Sequence, residues 1–256
     1  MKKKKSDGYQ IMDVAVKAGA IMLANGAETY RVEDTINHIL KLYPHTDSSS
    51  LVIATGIIVT LYEEDKKPIT VVRRIRRRNV NLNMIYKVNT LSRQLCAGVI
   101  TPQEAEQQLD YLRFEKQYGA GLNAVGIIGV SSSFTILVGG TLLDACFAVW
   151  IGIALALILV AFRNTRITNF FQTMLAATAV AVMARAFLNF VPFELHDGPM
   201  VVGSIMPLLP GMTFTNAIRD ILYGDYTAGL ARMTEAVLVA SAVALGVGFG
   251  IVLFRM

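Results

Sequence analysis

Arg219 and Asp220 stand side by side in the stretch "TFTNAIRD", one helical turn after Asn216. Residues of these types can handle a carboxylate together with an ammonium group or a proton. A guanidinium grips a carboxylate through its planar fork, and an aspartate can hold an ammonium group or a proton. Just upstream lie Pro207, Pro210 and Gly211. Each proline lacks a backbone donor and pushes the preceding residue out of helical geometry. At membrane depth such a break survives only where protein covers it or where it lines a wet cavity, and transporters use such breaks to aim helix ends at a substrate. Thr213 or Thr215 can cap the helix that resumes. A plain helix-loop-helix hairpin with a structural Arg–Asp pair fits the same residues equally well.

Three more charges fall in apolar surroundings: Asp144, Arg185 and Glu235. Charges inside a span are costly and mark a pathway or a paired site. Arg185 can instead snorkel to an interface, and Glu235 can pair with Arg232 three residues before it. Near the N-terminus, Glu28, Arg31, Glu33 and Asp34 crowd one helix start, where Arg31 can pair with Glu28 or Asp34 as an ordinary solvated ion-pair face.

The elements that must position these groups follow from composition. The chain is 54% hydrophobic and 17% charged, with a mean hydropathy of +0.48, too apolar for an ordinary soluble domain. Residues 1–117 hold 18 of the 24 Lys and Arg and 13 of the 19 Asp and Glu, a net charge of +5, and the remainder carries 6 of each. The expectation is a small cytoplasmic α+β domain at 1–117, followed at 118–256 by an α-helical membrane domain of about five transmembrane helices, one of them broken. The spans are expected near 119–139, 142–162, 168–190, 199–217 and 230–254. The fourth is the broken one.

The basic residues place the N-terminus, the "RNTR" turn at 163–166 and the Arg219 region in the cytoplasm. The lone Arg255 objects mildly to an outside C-terminus. No apolar run follows "MKKKK", so a signal peptide is not expected. Cys96 and Cys146 are expected to be free. His38, His45 and His196 are not clustered, and no HExxH, CxxC, phosphate-loop or GxSxG pattern occurs, so no metal, cofactor or catalytic residue is expected. The glycines at 126, 129, 246, 248 and 250 are expected at close helix contacts.

Within the polar domain, residues 9–43 fit two helices separated by Asn25-Gly26. Residues 50–75 fit strands around a charged turn at Glu63–Pro68. Two more helices are expected at about 81–97 and 102–117, the latter opened by Thr101-Pro102 with Glu104. Glu115 to Gly121 joins the domain to the first span almost without a linker. The basic run Arg73 to Arg78 has no interleaved aromatic residues and no recognition motif. It is expected to meet anionic lipid headgroups or a partner, and nucleic acid is not expected.

Two stretches carry a family resemblance. "NGAETYRVEDTI" resembles the cytoplasmic signature of the threonine/serine exporter family, and "PLLPGMTFTNAIRDILYGDYTAGLARMTEA" resembles its membrane signature. Their order and the cytoplasmic-then-membrane layout match as well. The resemblance implies a secondary exporter of threonine and serine or of short dicarboxylates, driven by the proton motive force, in a bacterial inner membrane. It carries Gly26, Ala27, Glu28, Arg31, Val32 and Glu33 from the first signature. From the second it carries Pro210, Gly211, Thr215, Asn216, Arg219, Asp220, Gly224, Asp225, Gly229, Arg232 and Glu235. Full-length relatives contain a second five-span module, which this chain lacks. The resemblance therefore implies the larger half of a split exporter, working with a short membrane-protein partner of about 150 residues, a homo-oligomer, or both. Two other readings stay open on the residues alone. One is a membrane-anchored sensory or scaffold protein with a basic binding domain. The other is a membrane-anchored hydrolase using Glu28 and Glu33 as an acid/base pair.

Overall fold

The computed structural model describes residues 7–43, 46–63, 67–76, 78–114, 118–163 and 165–253. The basic N-terminus, His45, the Glu63–Pro68 turn, Arg77, the Glu115–Gly121 junction, the "RNTR" turn and Arg255 lie wholly or partly outside the described residues. The chain resolves into two compact units, Met1–Gln117 with Met212–Met233, and Tyr118–Gly211 with Thr234–Met256.

The first unit is built on α1 (Asp7–Ala24). Its apolar residues occupy nearly the whole circumference, a pattern that requires burial on every side. Met12, Val14, Ala15, Val16, Ala18, Met22 and Leu23 are accordingly buried. Around it pack α2 (Thr29–Leu40), α3 (Leu82–Cys96) and α4 (Pro102–Phe114), together with a three-stranded sheet. The sheet is antiparallel in the order β1 (Thr46–Ile53), β2 (Gly56–Glu63), β3 (Ile69–Arg74). On β2, Ile57, Val59 and Leu61 face the core while Ile58 and Tyr62 face out, the period-two alternation of a sheet covered on one side.

The α4 start is a reciprocal cap. Thr101 Oγ1 accepts the Glu104 N–H at 3.3 Å, and Glu104 Oε2 accepts the Thr101 N–H at 2.8 Å. Lys17 then ties α1 to α4, reaching Glu106 at 2.9 Å and Asp110 at 3.2 Å, with Asp13 at 3.4 Å on its own helix.

The second unit contains α5 (Ala120–Leu137), α6 (Leu142–Phe162), α7 (Asn169–Phe190) and α8 (Asp197–Ile205), plus α10 (Tyr226–Leu253) from Thr234 onward. Its packing is inverted relative to a water-soluble bundle. Small residues such as Ala148, Ala176, Ala177, Ala181 and Ala184 are buried, whereas Trp150, Leu157, Phe171, Leu238 and Leu245 are exposed. Helices associating in lipid gain nothing by hiding large apolar side chains from water, so close approach through small residues dominates.

A Cβ on Gly203 would collide with the Thr135 backbone, and one on Gly250 would stand 2.8 Å from the Thr178 carbonyl. Gly246 packs as tightly against Met174. Of the five glycines expected at helix contacts, only Gly246 and Gly250 are there. Gly126, Gly129 and Gly248 would meet no described atom within 4 Å, since they lie on open helix faces.

Among the described residues four helices are long and apolar enough to cross a membrane: α5, α6, α7 and α10. The count becomes five if α8 and α9 (Gly211–Leu222) form one bent span. The expected fourth span at 199–217 is thus not one helix. It breaks at a 3-10 turn, Met206–Leu208, and an extended Leu209. Because α9 already starts at Gly211, Thr213 and Thr215 lie inside it and not at its N-cap. Residues 212–233, expected inside the membrane domain, group with the N-terminal elements. Their buried side chains include the polar Asn216, Asp220 and Arg232 beside Ala217 and Ala228, and the polar ones find hydrogen-bonding groups there.

Candidate functional site

Two glycine turns build the site. At the end of α1, Gly26 takes φ +89° while the Ala27 N–H bonds back to the Met22 carbonyl at 3.0 Å. At the end of α9, Gly224 takes φ +90° while the Asp225 N–H bonds back to the Asp220 carbonyl at 2.8 Å. Only glycine adopts this left-handed conformation without strain. The first turn presents the Gly26 and Ala27 carbonyls, and the second folds α10 back beside α9. That return is tight, because a Cβ on Gly229 would sit 3.0 Å from the Ala217 carbonyl.

The two turns meet, and the two sequence signatures form one polar cluster within the first unit. Asn216 Nδ2 donates to the Gly26 carbonyl at 2.7 Å, and Arg232 Nη2 donates to the Ala27 carbonyl at 2.8 Å. Glu28, 4% exposed, accepts Arg219 Nη1 on Oε1 at 2.5 Å and Arg31 Nη1 on Oε2 at 3.3 Å. Asp220 is fully buried. Its Oδ1 accepts the Thr29 N–H at 3.0 Å and the Thr29 hydroxyl at 2.8 Å, and its Oδ2 lies 3.2 Å from Arg232 Nε. The Tyr30 and Tyr223 rings stack beside them, centroids 4.0 Å apart.

The Glu28 carboxyl feels opposing influences. Burial raises its pKa, but its own backbone N–H and the Arg219 and Arg31 guanidinium groups outweigh that and hold it below its ordinary value. Glu33, in the second turn of α2, goes the other way. Burial and the Asp225 carboxylate push it up, against a lowering hydrogen bond from the Val52 backbone.

Thr29, which carries no charge and stands out in no pattern, is the joint of the cluster. Its Oγ1 is 2.8 Å from Asp220 Oδ1 and also 2.7 Å from Asp225 Oδ2. A hydroxyl has one proton to give. It can donate to only one carboxylate at a time, so Thr29 is shared between Asp220 and Asp225. The half-exposed Arg219 beside them can grip a carboxylate.

The remaining expected residues lie elsewhere. In the second unit, Asp144 is a helix cap. Thr141 Oγ1 accepts the Asp144 N–H, and Asp144 Oδ2 accepts both the N–H and the hydroxyl of Thr141 at 2.8 Å. The same carboxylate meets the His196 ring Nδ1 at 3.0 Å and takes its backbone N–H at 2.9 Å. Arg185 Nη2 pairs with Asp197 at 2.8 Å. Pro210 and Gly211 mark the start of α9, Thr215 is exposed on it, and Glu235 is exposed on α10. Arg232, expected beside Glu235, reaches Asp220 and the Ala27 carbonyl. No group of three or more His, Cys, Asp or Glu with metal-binding geometry occurs among the described residues. Cys96 and Cys146 are free thiols.

Known proteins give this geometry a context. The threonine/serine exporter family model matches residues 13–254. The chain is 26% identical over 251 residues to the "Probable threonine/serine exporter" of Mycobacterium tuberculosis, covering 93% of this chain and 45% of that protein. It is 24% identical to the "Threonine/serine exporter" of Corynebacterium glutamicum, covering 94% of this chain and 50% of that one. The chain thus spans about half the length of these two relatives. It is also 23% identical over 246 residues to the "Probable succinate transporter subunit YjjP" of Escherichia coli, covering 91% of each. No solved structure matches significantly. With the family model spanning nearly the whole chain and both signatures joined in one cluster, the protein belongs to the threonine/serine exporter family, as a multi-pass membrane protein.

Proposed function

We propose that this chain is one subunit of a secondary exporter of small amino acids or short dicarboxylates, driven by the proton motive force. The observation that carries the exporter reading is the single cluster formed by both family signatures around Glu28 and Arg219. The subunit reading is supported by a relative named as a transporter subunit. A short membrane protein of about 150 residues is the proposed partner. The first unit, with the N-terminus, sits on the cytoplasmic side of a bacterial inner membrane, because the basic residues concentrate there.

In this reading Arg219 receives the substrate carboxylate. Its side chain is 52% exposed and gives Glu28 one of its five donors. Glu28 occupies the guanidinium until a substrate carboxylate displaces it. The Asp220–Thr29–Asp225 contact offers a place to hold the coupling proton, and α10 runs from that cluster into the apolar unit. One charge moved across 100 mV supplies about 2.3 kcal/mol, enough for a gradient of roughly fortyfold.

The test is counterflow of labelled threonine, serine and succinate in proteoliposomes, with and without a short membrane protein encoded beside this chain. Transport of one of these that requires both proteins, and is lost in Arg219→Lys at equal abundance, is the expected result. No counterflow of any of the three with both proteins present, or full activity in Arg219→Lys, would overturn the reading.

A further inference from the structure

The basic run at 73–78, which the transport reading leaves unused, lines a cleft of about 360 Å³ in the first unit. Its lining includes Arg73 and Arg74 at the end of β3, Arg76 just beyond it and Arg113 on α4; of the two strand neighbours, Arg73 shares the half-buried face of Ile69 and Val71. Its floor is apolar, formed by Ala20, Ile21 and Ala24 of α1 with Met84, Leu109 and Leu112. Lys17 and Asp110 also reach the cleft, but they are engaged with each other.

Three features point to a ligand. Among the described residues, Arg73, Arg74 and Arg76 have no carboxylate partner. The arginines sit on a fixed frame. Arg73 and Arg74 are in register with Ile57 and Gly56 of β2, and beyond them the Ile75 N–H bonds to the Thr55 carbonyl at 2.9 Å. The segment that follows is pinned to the end of α1 by Asn79 N–H to the Ala24 carbonyl at 2.9 Å and Asn81 N–H to the Asn25 carbonyl at 3.0 Å. Finally, the volume and the lining, apolar with a few convergent charged groups, suit a small-molecule pocket. A guanidinium fork fits carboxylate and phosphate alike, and several arginines at one cleft favour the more highly charged phosphate.

We propose that this cleft is a binding site for a phosphate-bearing anion with an apolar or planar body. The phosphate meets the arginines and the body lies on the α1–α4 floor. A soluble nucleotide and a phospholipid headgroup share this chemistry. The proposal is independent of the transport reading, because its readout is binding.

The experiment uses the full chain in nanodiscs of phosphatidylcholine alone or with one-fifth phosphatidylglycerol, with ATP or inorganic pyrophosphate added to each. Amide exchange at 73–76 and 109–113 reports occupancy, and titration calorimetry reports affinity. For a soluble ligand, ATP protects both segments in the neutral discs. For a headgroup, the anionic discs protect them without additive, and pyrophosphate competes. In either case Arg73→Gln combined with Arg76→Gln should weaken binding at least tenfold, while Arg93→Gln, exposed on α3 outside the cleft, leaves it unchanged. Both variants are surface changes whose folding is checked by circular dichroism. Absence of protection in every arm, or affinity unaffected by the double substitution, overturns the proposal.

Discussion

Replacing Arg232 with Met should unlock the two glycine turns from one another. Arg232 is 4% exposed and Asp220 fully buried, so neither charge has water to turn to when its partner is removed. Arg232→Met leaves the Ala27 carbonyl without the donor now at 2.8 Å and leaves Asp220 Oδ2 without the guanidinium at 3.2 Å. Asp220 keeps only its two Thr29 donors. Breaking a buried pair from one side costs about 3–5 kcal/mol, because the surviving charge stays buried and uncompensated.

For a unit of this size that lowers the midpoint of thermal unfolding by roughly 10 °C. Asp220→Asn removes the carboxylate that faces Arg232 Nε. The double variant, with neither charge of this pair left, should recover at least about 2 kcal/mol relative to the sum of the single changes. Calorimetry of the detergent-purified chain measures the cycle, and amide exchange at 26–29 localises it. A stable Arg232→Met protein, or strictly additive single changes, would refute the claim that this ion pair closes the cluster.

The neighbouring carboxyls should give opposite pH signatures. Glu28, lowered from 4.5, contributes stability that is present above that value and fades as pH falls through its folded pKa, so Glu28→Gln should flatten the acid side of a stability–pH curve. Glu33, raised from 4.5, contributes stability below that value and loses it as pH rises through its folded pKa. Glu33→Gln should therefore stabilise the chain at neutral pH, by roughly 0.5 kcal/mol for relief of a like-charge contact, measurable in the same scans. Tyr223→Ala should cost about 0.5–1.5 kcal/mol beyond lost area by removing the Tyr30 stack, and Tyr223→Phe should restore it. Asp144→Asn should weaken the α6 cap by about 1 kcal/mol without changing which substrates counterflow; altered selectivity would return Asp144 to the pathway.

What could be read from the sequence was whatever the chain states locally. The α4 start is a short-range agreement among Thr101, Pro102 and Glu104, and the buried α1 follows from its all-round apolarity. The break before α9 is announced by Pro207 and Pro210, although Gly211 begins the helix two residues before the expected threonine cap. Asp144 also had a local signal, a threonine three residues before it at a helix start. A lone charge in an apolar run invited the pathway reading instead. Thr29 had none, since its partners Asp220 and Asp225 are 191 and 196 residues away and a threonine advertises no charge. The same distance hid the fact that the two signatures are one site.

That site contains two ion pairs of different kinds, and burial separates their roles. Arg232 and Asp220 are sealed off, at 4% and 0% side-chain exposure, so a passing anion cannot reach them. Arg219 is half open to solvent while its partner Glu28 is nearly closed, at 52% and 5%. Water screens the exposed guanidinium, and Glu28 keeps Arg31 when Arg219 leaves, so an exchange of carboxylates on Arg219 costs less than breaking the sealed pair. The sealed pair fixes the turns, and the open pair can trade Glu28 for another carboxylate while the turns stay in place. Arg219→Lys therefore separates the two roles. It should leave the unfolding midpoint nearly unchanged while abolishing any carboxylate-dependent step, because a point charge cannot reproduce the fork that lets one guanidinium change partners.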